Sequence, residues 1–163
     1  MGMRVLPPVP DVKVEILRGL VDKILSDLSQ RESITPPPLY WTAEKVFGMP
    51  NLYALYIPKL LDGPRILIPA WFELPLRSDY NKFEPYIRFM VAHEFKHYLQ
   101  DSQGLYLLFI HRPLRHQFEE EADEYASKYS GITRQEYLSL GDEATEIIMR
   151  YIKSGTQEIS LLF

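Results

Sequence analysis

The segment His93-Glu94-Phe95-Lys96-His97 places two imidazoles and a carboxylate at a spacing that suits metal chemistry. The surrounding sequence is amphipathic and predicts one continuous helix. Residues four apart lie on the same face of a helix, so His93 and His97 can both reach one zinc ion at about 2.0–2.1 Å. Glu94 is rotated away from that line, where it can take a proton from a metal-activated water. The spacing therefore predicts a zinc site in which Glu94 is the general base.

A catalytic zinc site needs a third protein ligand and one open position. The chain has no cysteine, so this ligand must be a histidine or a carboxylate. The metzincin pattern is excluded, because Gln100 and Gln103 stand where it requires glycine and histidine. The remaining source is the acidic segment 118–126, which lies on a predicted helix.

The orientation of this second helix narrows the choice of glutamate. Its apolar stripe must face the core, and the stripe consists of Phe118, Ala122, Tyr125 and Tyr129. Glu120 and Glu124 therefore point into solvent, whereas the stripe alone does not separate Glu119 from Glu121.

Two details favour Glu119 as the third ligand. Its side of the helix carries two alanines, which let a neighbouring helix approach closely. It is also followed four residues later by Asp123, which can accept the second ring N–H of a ligating histidine. Glu121 has Tyr125 at that spacing. The sequence thus predicts Zn²⁺ held by His93, His97 and Glu119, with Asp123 behind the site.

HExxH followed by E-x-E-A-D-x-x-A resembles the gluzincin metallopeptidases, particularly the ImmA/IrrE-like group and the compact minigluzincins. The resemblance extends over residues 52–129, with Lys96 as a departure where many relatives carry a small residue. It implies an α+β fold, a compact zincin-like domain with a small, mostly antiparallel sheet, an HExxH helix and a following glutamate-bearing helix. It also implies that Glu119 is the third ligand, that Asp123 orients His93, and that strand 52–57 borders the cleft and pairs with an extended peptide.

The function expected from these parts is zinc-dependent endopeptidase activity on a protein or peptide substrate. The alternative is a non-catalytic zincin-like scaffold that serves as an interaction or regulatory module. The sequence does not choose among four candidates for an additional oxyanion donor, which are Tyr98, His111, His116 and Tyr125.

Composition limits the classes of partner. The 163 residues are predicted to form a single domain, 1–163, and the formal charge of −4 gives no reason to expect nucleic-acid binding. The N-terminal sequence lacks the apolar segment of a signal peptide, and the longest apolar run, Leu105–Ile110, is too short to span a membrane. A cytoplasmic protein is expected, and the oligomeric state stays open.

Periodicity and turn signals predict the elements that position these residues. Four helices are expected: one from an Asp11 cap to Gln30, one from Asn81, with Glu84 as capping partner, to just before Gly104, one over 114–129, and one after a Thr133–Glu136 capping box. Glycines at 141 and 155 are expected to interrupt and to end the last helix, before a strand-compatible tail that could occupy the cleft. Three strands, Leu39–Phe47, Leu52–Ile57 and Arg65–Ile68, are expected to form an antiparallel meander, followed by a loop over 69–80.

Overall fold

The computed structural model describes residues 12–43, 45–46, 49–105 and 112–162, and its architecture is α+β. The helices are α1 (Ile16–Arg31), α2 (Glu73–Ser78), α3 (Tyr80–Ser102), α4 (Arg112–Ser130) and α5 (Arg134–Leu162). The strands are β1 (Leu39–Thr42), β2 (Lys45–Val46), β3 (Met49–Pro50), β4 (Leu55–Ile57) and β5 (Arg65–Pro69). Short 3-10 helices at Lys59–Leu61 and Ala70–Phe72 flank β5. The α+β class that was predicted is therefore confirmed.

The main sheet has three strands in the order β1-β5-β4. β1 runs parallel to β5, β4 runs antiparallel to it, and β2 and β3 form a separate antiparallel pair. The predicted antiparallel meander is therefore wrong, and the sheet is mixed. β5 takes the central position because it carries Ile66 and Ile68, both completely buried. β4 is left at an edge, with Leu55 half exposed.

Helix α3 is the centre of the packing. It contacts α1, α2, α4, α5 and β4, so apolar residues are buried on more than one of its faces. The apolar residues of α1 pack on the same core, except that Ile16 at the start of the helix is 39% exposed. The segment 93–97 thus lies within the most enclosed helix that the structure describes.

Both ends of α3 have defined caps. The Asp79 side chain accepts a hydrogen bond from the Lys82 N–H at 3.2 Å, so the helix starts at Tyr80 and the predicted Asn81 capping box is wrong. At the other end Gly104 adopts φ +76°, as predicted for the residue that ends the helix. The Gly104 and Leu105 amides donate back to the Asp101 and Gln100 carbonyls.

The predicted loop 69–80 contains a 3-10 helix and α2 instead. Its key residue is Glu73, which is completely buried. The Glu73 carboxylate accepts the backbone N–H groups of Glu15, Ile16 and Leu17 at 3.1, 2.9 and 2.7 Å. The start of α1 is therefore capped from another element, and the predicted cap Asp11 lies outside the described residues.

Helix α5 starts as predicted, because the Thr133 hydroxyl and the Glu136 carboxylate form the reciprocal capping box. It then continues without a break through Gly141 and Gly155 to Leu162. The expected interruption and the strand-like tail are therefore wrong, since one helical glycine costs only about 1 kcal/mol. Gly141 also has a packing role: a Cβ there would lie 3.4 Å from the ring of Tyr86. Among the described residues, no helix is long and apolar enough to cross a bilayer.

Candidate metal centre

Helices α3 and α4 bring His93, His97 and Glu119 together, and these three side chains could hold a metal ion. The two Nε2 atoms lie 3.1 Å apart. Glu119 places one carboxylate oxygen 3.1 Å from Nε2 of His93 and the other 3.2 Å from Nε2 of His97. The close approach of the helices is possible because Ala122 and Ala126 are completely buried.

The size and chemistry of this triangle limit the kind of ion. Tetrahedral zinc, with bonds of about 2.0–2.1 Å, separates its ligand atoms by roughly 3.3–3.4 Å. The two Nε2 atoms, 3.1 Å apart, need to separate by only about 0.2 Å to reach that spacing, and one ligand atom from each of the three residues lies within 4.8 Å of the other two. Calcium prefers six to eight oxygen ligands at about 2.3–2.6 Å. Two imidazole nitrogens and one carboxylate therefore fit zinc better than calcium.

Asp123 lies directly behind His93. Its Oδ1 is 3.0 Å from Nδ1 of His93, and its Oδ2 is 3.1 Å from Nε of Arg134. A carboxylate in this position accepts a hydrogen bond from the Nδ1–H of His93. Nε2 is then the ring nitrogen that would bind a metal ion, and without an ion its N–H donates to Glu119.

The charges of the cluster influence one another strongly. Burial opposes a proton on the His93 ring, but the hydrogen bonds that the ring donates to Asp123 and Glu119, together with the charge of Glu94, outweigh it and raise the pKa of His93 to about 10. The same contacts with the two histidines hold the pKa of Glu119 well below its usual range. A metal ion bound here would take the place of the His93 ring proton that contacts Glu119.

Glu94 lies beside the triangle without being part of it. Its Oε2 accepts the backbone N–H of Tyr56 in edge strand β4 at 2.8 Å. Burial raises the pKa of Glu94, and nearby His93 and His97 partly offset that effect. A carboxylate whose pKa is raised toward the working pH is better suited to accept and return a proton.

Two cavities meet at the cluster. The smaller, about 350 Å³, extends over Leu105 and Phe118, and the larger, about 690 Å³, extends over Tyr137 and Leu138. His93, Glu94 and Glu119 line both. A bound molecule can therefore extend to either side of the candidate metal position.

The other three glutamates of the acidic segment contact residues outside the cluster. Glu121 accepts hydrogen bonds from the side-chain amides of Gln100 and Gln117 at 3.3 and 3.4 Å. Glu120 and Glu124 are 69% exposed and pair with residues on their own helix. Only Glu119 of these four acidic side chains belongs to the cluster.

The four candidates for an oxyanion donor have different locations. The Tyr98 hydroxyl donates to the Thr35 carbonyl and the Tyr125 hydroxyl donates to Glu32, so both are engaged elsewhere. His116 lines the larger cavity and pairs with Glu120 at 2.9 Å. His111 lies outside the described residues.

Three neighbours of the cluster were not predicted. Tyr137 lines the larger cavity, stacked on Phe89 with 4.2 Å between ring centroids. Arg134 binds Asp123, and Oε1 of Gln100 lies 2.9 Å from Nδ1 of His97. Of these three, only Gln100 could have been identified from the sequence, since it follows His97 by three residues and lies on the same helix face.

No protein-family profile matches the chain, and comparison with curated proteins and with solved structures finds no significant relative.

Proposed function

We propose that this chain is a zinc-dependent endopeptidase of the gluzincin type, with His93, His97 and Glu119 as metal ligands. The observation that carries the proposal is the convergence of these three side chains, with the Glu94 carboxylate beside them, at the junction of two cavities. Zinc in this position supplies a Lewis acid and lowers the pKa of a bound water toward about 7. The proposed location is cytoplasmic.

Glu94 is the proposed proton carrier. One of its carboxylate oxygens is held by the Tyr56 amide, which fixes its direction and leaves the other oxygen to receive a proton. Its raised pKa favours taking that proton from water and returning it to the amine that leaves.

The proposed substrate is an extended peptide lying along β4. This strand is at the edge of the sheet, beside the cluster, and edge strands offer backbone groups for strand addition. Leu55 lines the smaller cavity and Tyr53, which is 80% exposed, lines the larger. Side chains of the peptide on either side of the cleaved bond would enter these two cavities.

The same edge strand supports the alternative of a scaffold that binds peptides without cleaving them. The Tyr56 N–H is already bonded to Glu94, so the base and the peptide-binding strand are joined. A bound peptide could therefore hold Glu94 inactive. Turnover separates the two functions.

The test is Glu94→Gln, compared with wild type for zinc content and for cleavage of a mixture of unstructured peptides. Glutamine keeps the size and one oxygen but cannot accept the proton, so zinc should be retained and turnover should fall by about 10²–10⁴-fold. Glu124→Gln, at an exposed position on α4 that lines neither of the two cavities, is the control and should keep full activity.

Residual Glu94→Gln activity within tenfold of wild type would exclude Glu94 as the base. Wild-type protein that binds one zinc and binds peptides but never cleaves them would favour the scaffold.

A further inference from the structure

Gln100 is a buried amide between the two helices that carry the candidate ligands. Only 5% of it is exposed. Its Oε1 lies 2.9 Å from Nδ1 of His97, and its Nε2 donates to the Phe118 carbonyl at 3.2 Å and to Glu121 at 3.3 Å. Phe118 immediately precedes Glu119, so one side chain contacts the second histidine and the backbone next to the third ligand.

These contacts determine where the proton on His97 lies. The Phe118 carbonyl and the Glu121 carboxylate can only accept, so the amide must turn its NH₂ group toward them. The amide oxygen then faces Nδ1 of His97, and an acceptor in that position requires a proton on Nδ1. Nε2 is then the ring nitrogen directed at the triangle, where it lies 3.2 Å from Glu119.

We propose that Gln100 is a positioning residue of the metal centre, which fixes the tautomer and ring direction of His97 and ties them to the segment that presents Glu119. Asp123 makes the corresponding contact with His93 from α4. The inference rests on the proposed metal site but not on peptide cleavage.

An amide is the side chain that this position requires. A carboxylate could accept from His97 but could not donate to the Phe118 carbonyl, and a lysine or arginine could donate but not accept. Since His97 and Gln100 are both buried, water is poorly placed to replace either contact. Gln100 therefore links the geometry of two ligands on different helices.

The experiment compares Gln100→Met with wild type by zinc titration against a competing chelator and by long-range ¹H–¹⁵N NMR of the metal-free protein. Methionine keeps the length of the side chain but has no acceptor for Nδ1–H. The zinc Kd should rise by about 10–100-fold, the usual range for a lost partner behind a ligand. His97 should change from a single Nδ1–H tautomer to a mixture.

Gln117→Met is the matched control. Gln117 is exposed on α4 and its amide also donates to Glu121, but it makes no contact with His97. Its replacement should leave both the zinc Kd and the His97 tautomer unchanged. An equal loss of zinc in this control would assign the effect to Glu121 and overturn the proposal.

Gln100→Glu separates positioning from packing, because its carboxylate restores an acceptor for His97 while losing the donor to Phe118. The Nδ1–H tautomer should return in this variant, and the variant also carries the test if Gln100→Met does not fold. A wild-type tautomer in Gln100→Met, or its absence in Gln100→Glu, would overturn the proposal. Both readouts are independent of turnover, so a wild-type protein without peptidase activity would refute the proposed function alone.

Discussion

The Nδ1 atoms of His93 and His97 face different hydrogen-bond acceptors. His93 has the charged acceptor Asp123, itself bound by Arg134 at a position that is 64% exposed. His97 has the neutral acceptor Gln100 in a buried position. The hydrogen bond with the charged partner Asp123 contributes to the raised pKa of His93.

The first prediction concerns the third ligand. Glu119→Ala should remove stoichiometric zinc, because only two ligands would remain. Glu121→Ala is the matched control and should keep zinc, since Glu121 contacts two glutamines rather than the histidines. Metal content of the purified variants, measured by elemental analysis, checks this. Full zinc in Glu119→Ala with loss in Glu121→Ala would reverse the assignment.

The sequence could predict the cluster residues because helix periodicity fixes their directions. Spacings of four residues relate His93 to His97 and Glu119 to Asp123, and both pairs lie on helices. The contacts of Gln100 with Phe118 and of Glu94 with the Tyr56 amide were not predictable. Each joins a side chain to a distant backbone group, whose position depends on how the elements pack.

Glu73 shows how one element can determine the start of another. Its buried carboxylate accepts three backbone N–H groups at the first turn of α1, and Arg77 pairs with it from the next turn of α2. The cap contributed by α2 replaces the local side chain that usually has this function. The contact between α1 and α2 therefore also provides the N-terminal cap of α1.

The second prediction follows from this cap. Glu73→Ala leaves buried N–H groups without their acceptor, so the free energy of unfolding should fall by roughly 2–4 kcal/mol. Urea unfolding followed by circular dichroism measures it. Glu146→Ala, which removes an exposed pair with Arg150 on α5, should have a much smaller effect. Equal losses for the two variants would show that Glu73 is not an important cap.

Elements were predicted unequally well. Four of the five helices followed from periodicity, and of the predicted caps the Thr133–Glu136 box and Gly104 were confirmed. Strand pairing failed because β1 and β5 are neighbours in space while three other strands separate them in sequence. α2 was missed because it is a single short helix with a proline inside it.

The third prediction concerns the whole molecule, because the proposed ligands lie on two helices and come together only in the folded chain. An ion that binds only the folded state stabilises it, by about 2.7 kcal/mol when free zinc is about 100 times Kd. Added zinc should therefore raise Tm. Thermal unfolding with zinc and with a chelator tests this.

The control for zinc stabilisation is His97→Ala, which should fold but show no zinc-dependent rise in Tm. A rise of the same size in wild type and in this variant would place the stabilising ion elsewhere in the chain.

At the scale of the whole chain, the predicted elements and the gluzincin resemblance indicated the α+β class but not the mixed sheet. The single domain 1–163 stays a prediction. Zinc identity, peptide hydrolysis and cytoplasmic location also stay predictions, since each depends on chemistry or surroundings beyond the fold. The position of α3 among four other helices was not predictable, because several of its faces are buried by partners from both halves of the sequence.

Strand β4 is attached to α3 at two points. Glu94 accepts the Tyr56 amide, and Asp101 accepts both the Tyr56 hydroxyl at 2.5 Å and the Lys59 amide at 2.9 Å. Neither attachment uses His93, His97 or Glu119, so loss of an ion from the proposed site would break neither of them. We therefore expect metal exchange at this site to leave β4 in place, with access through the two cavities.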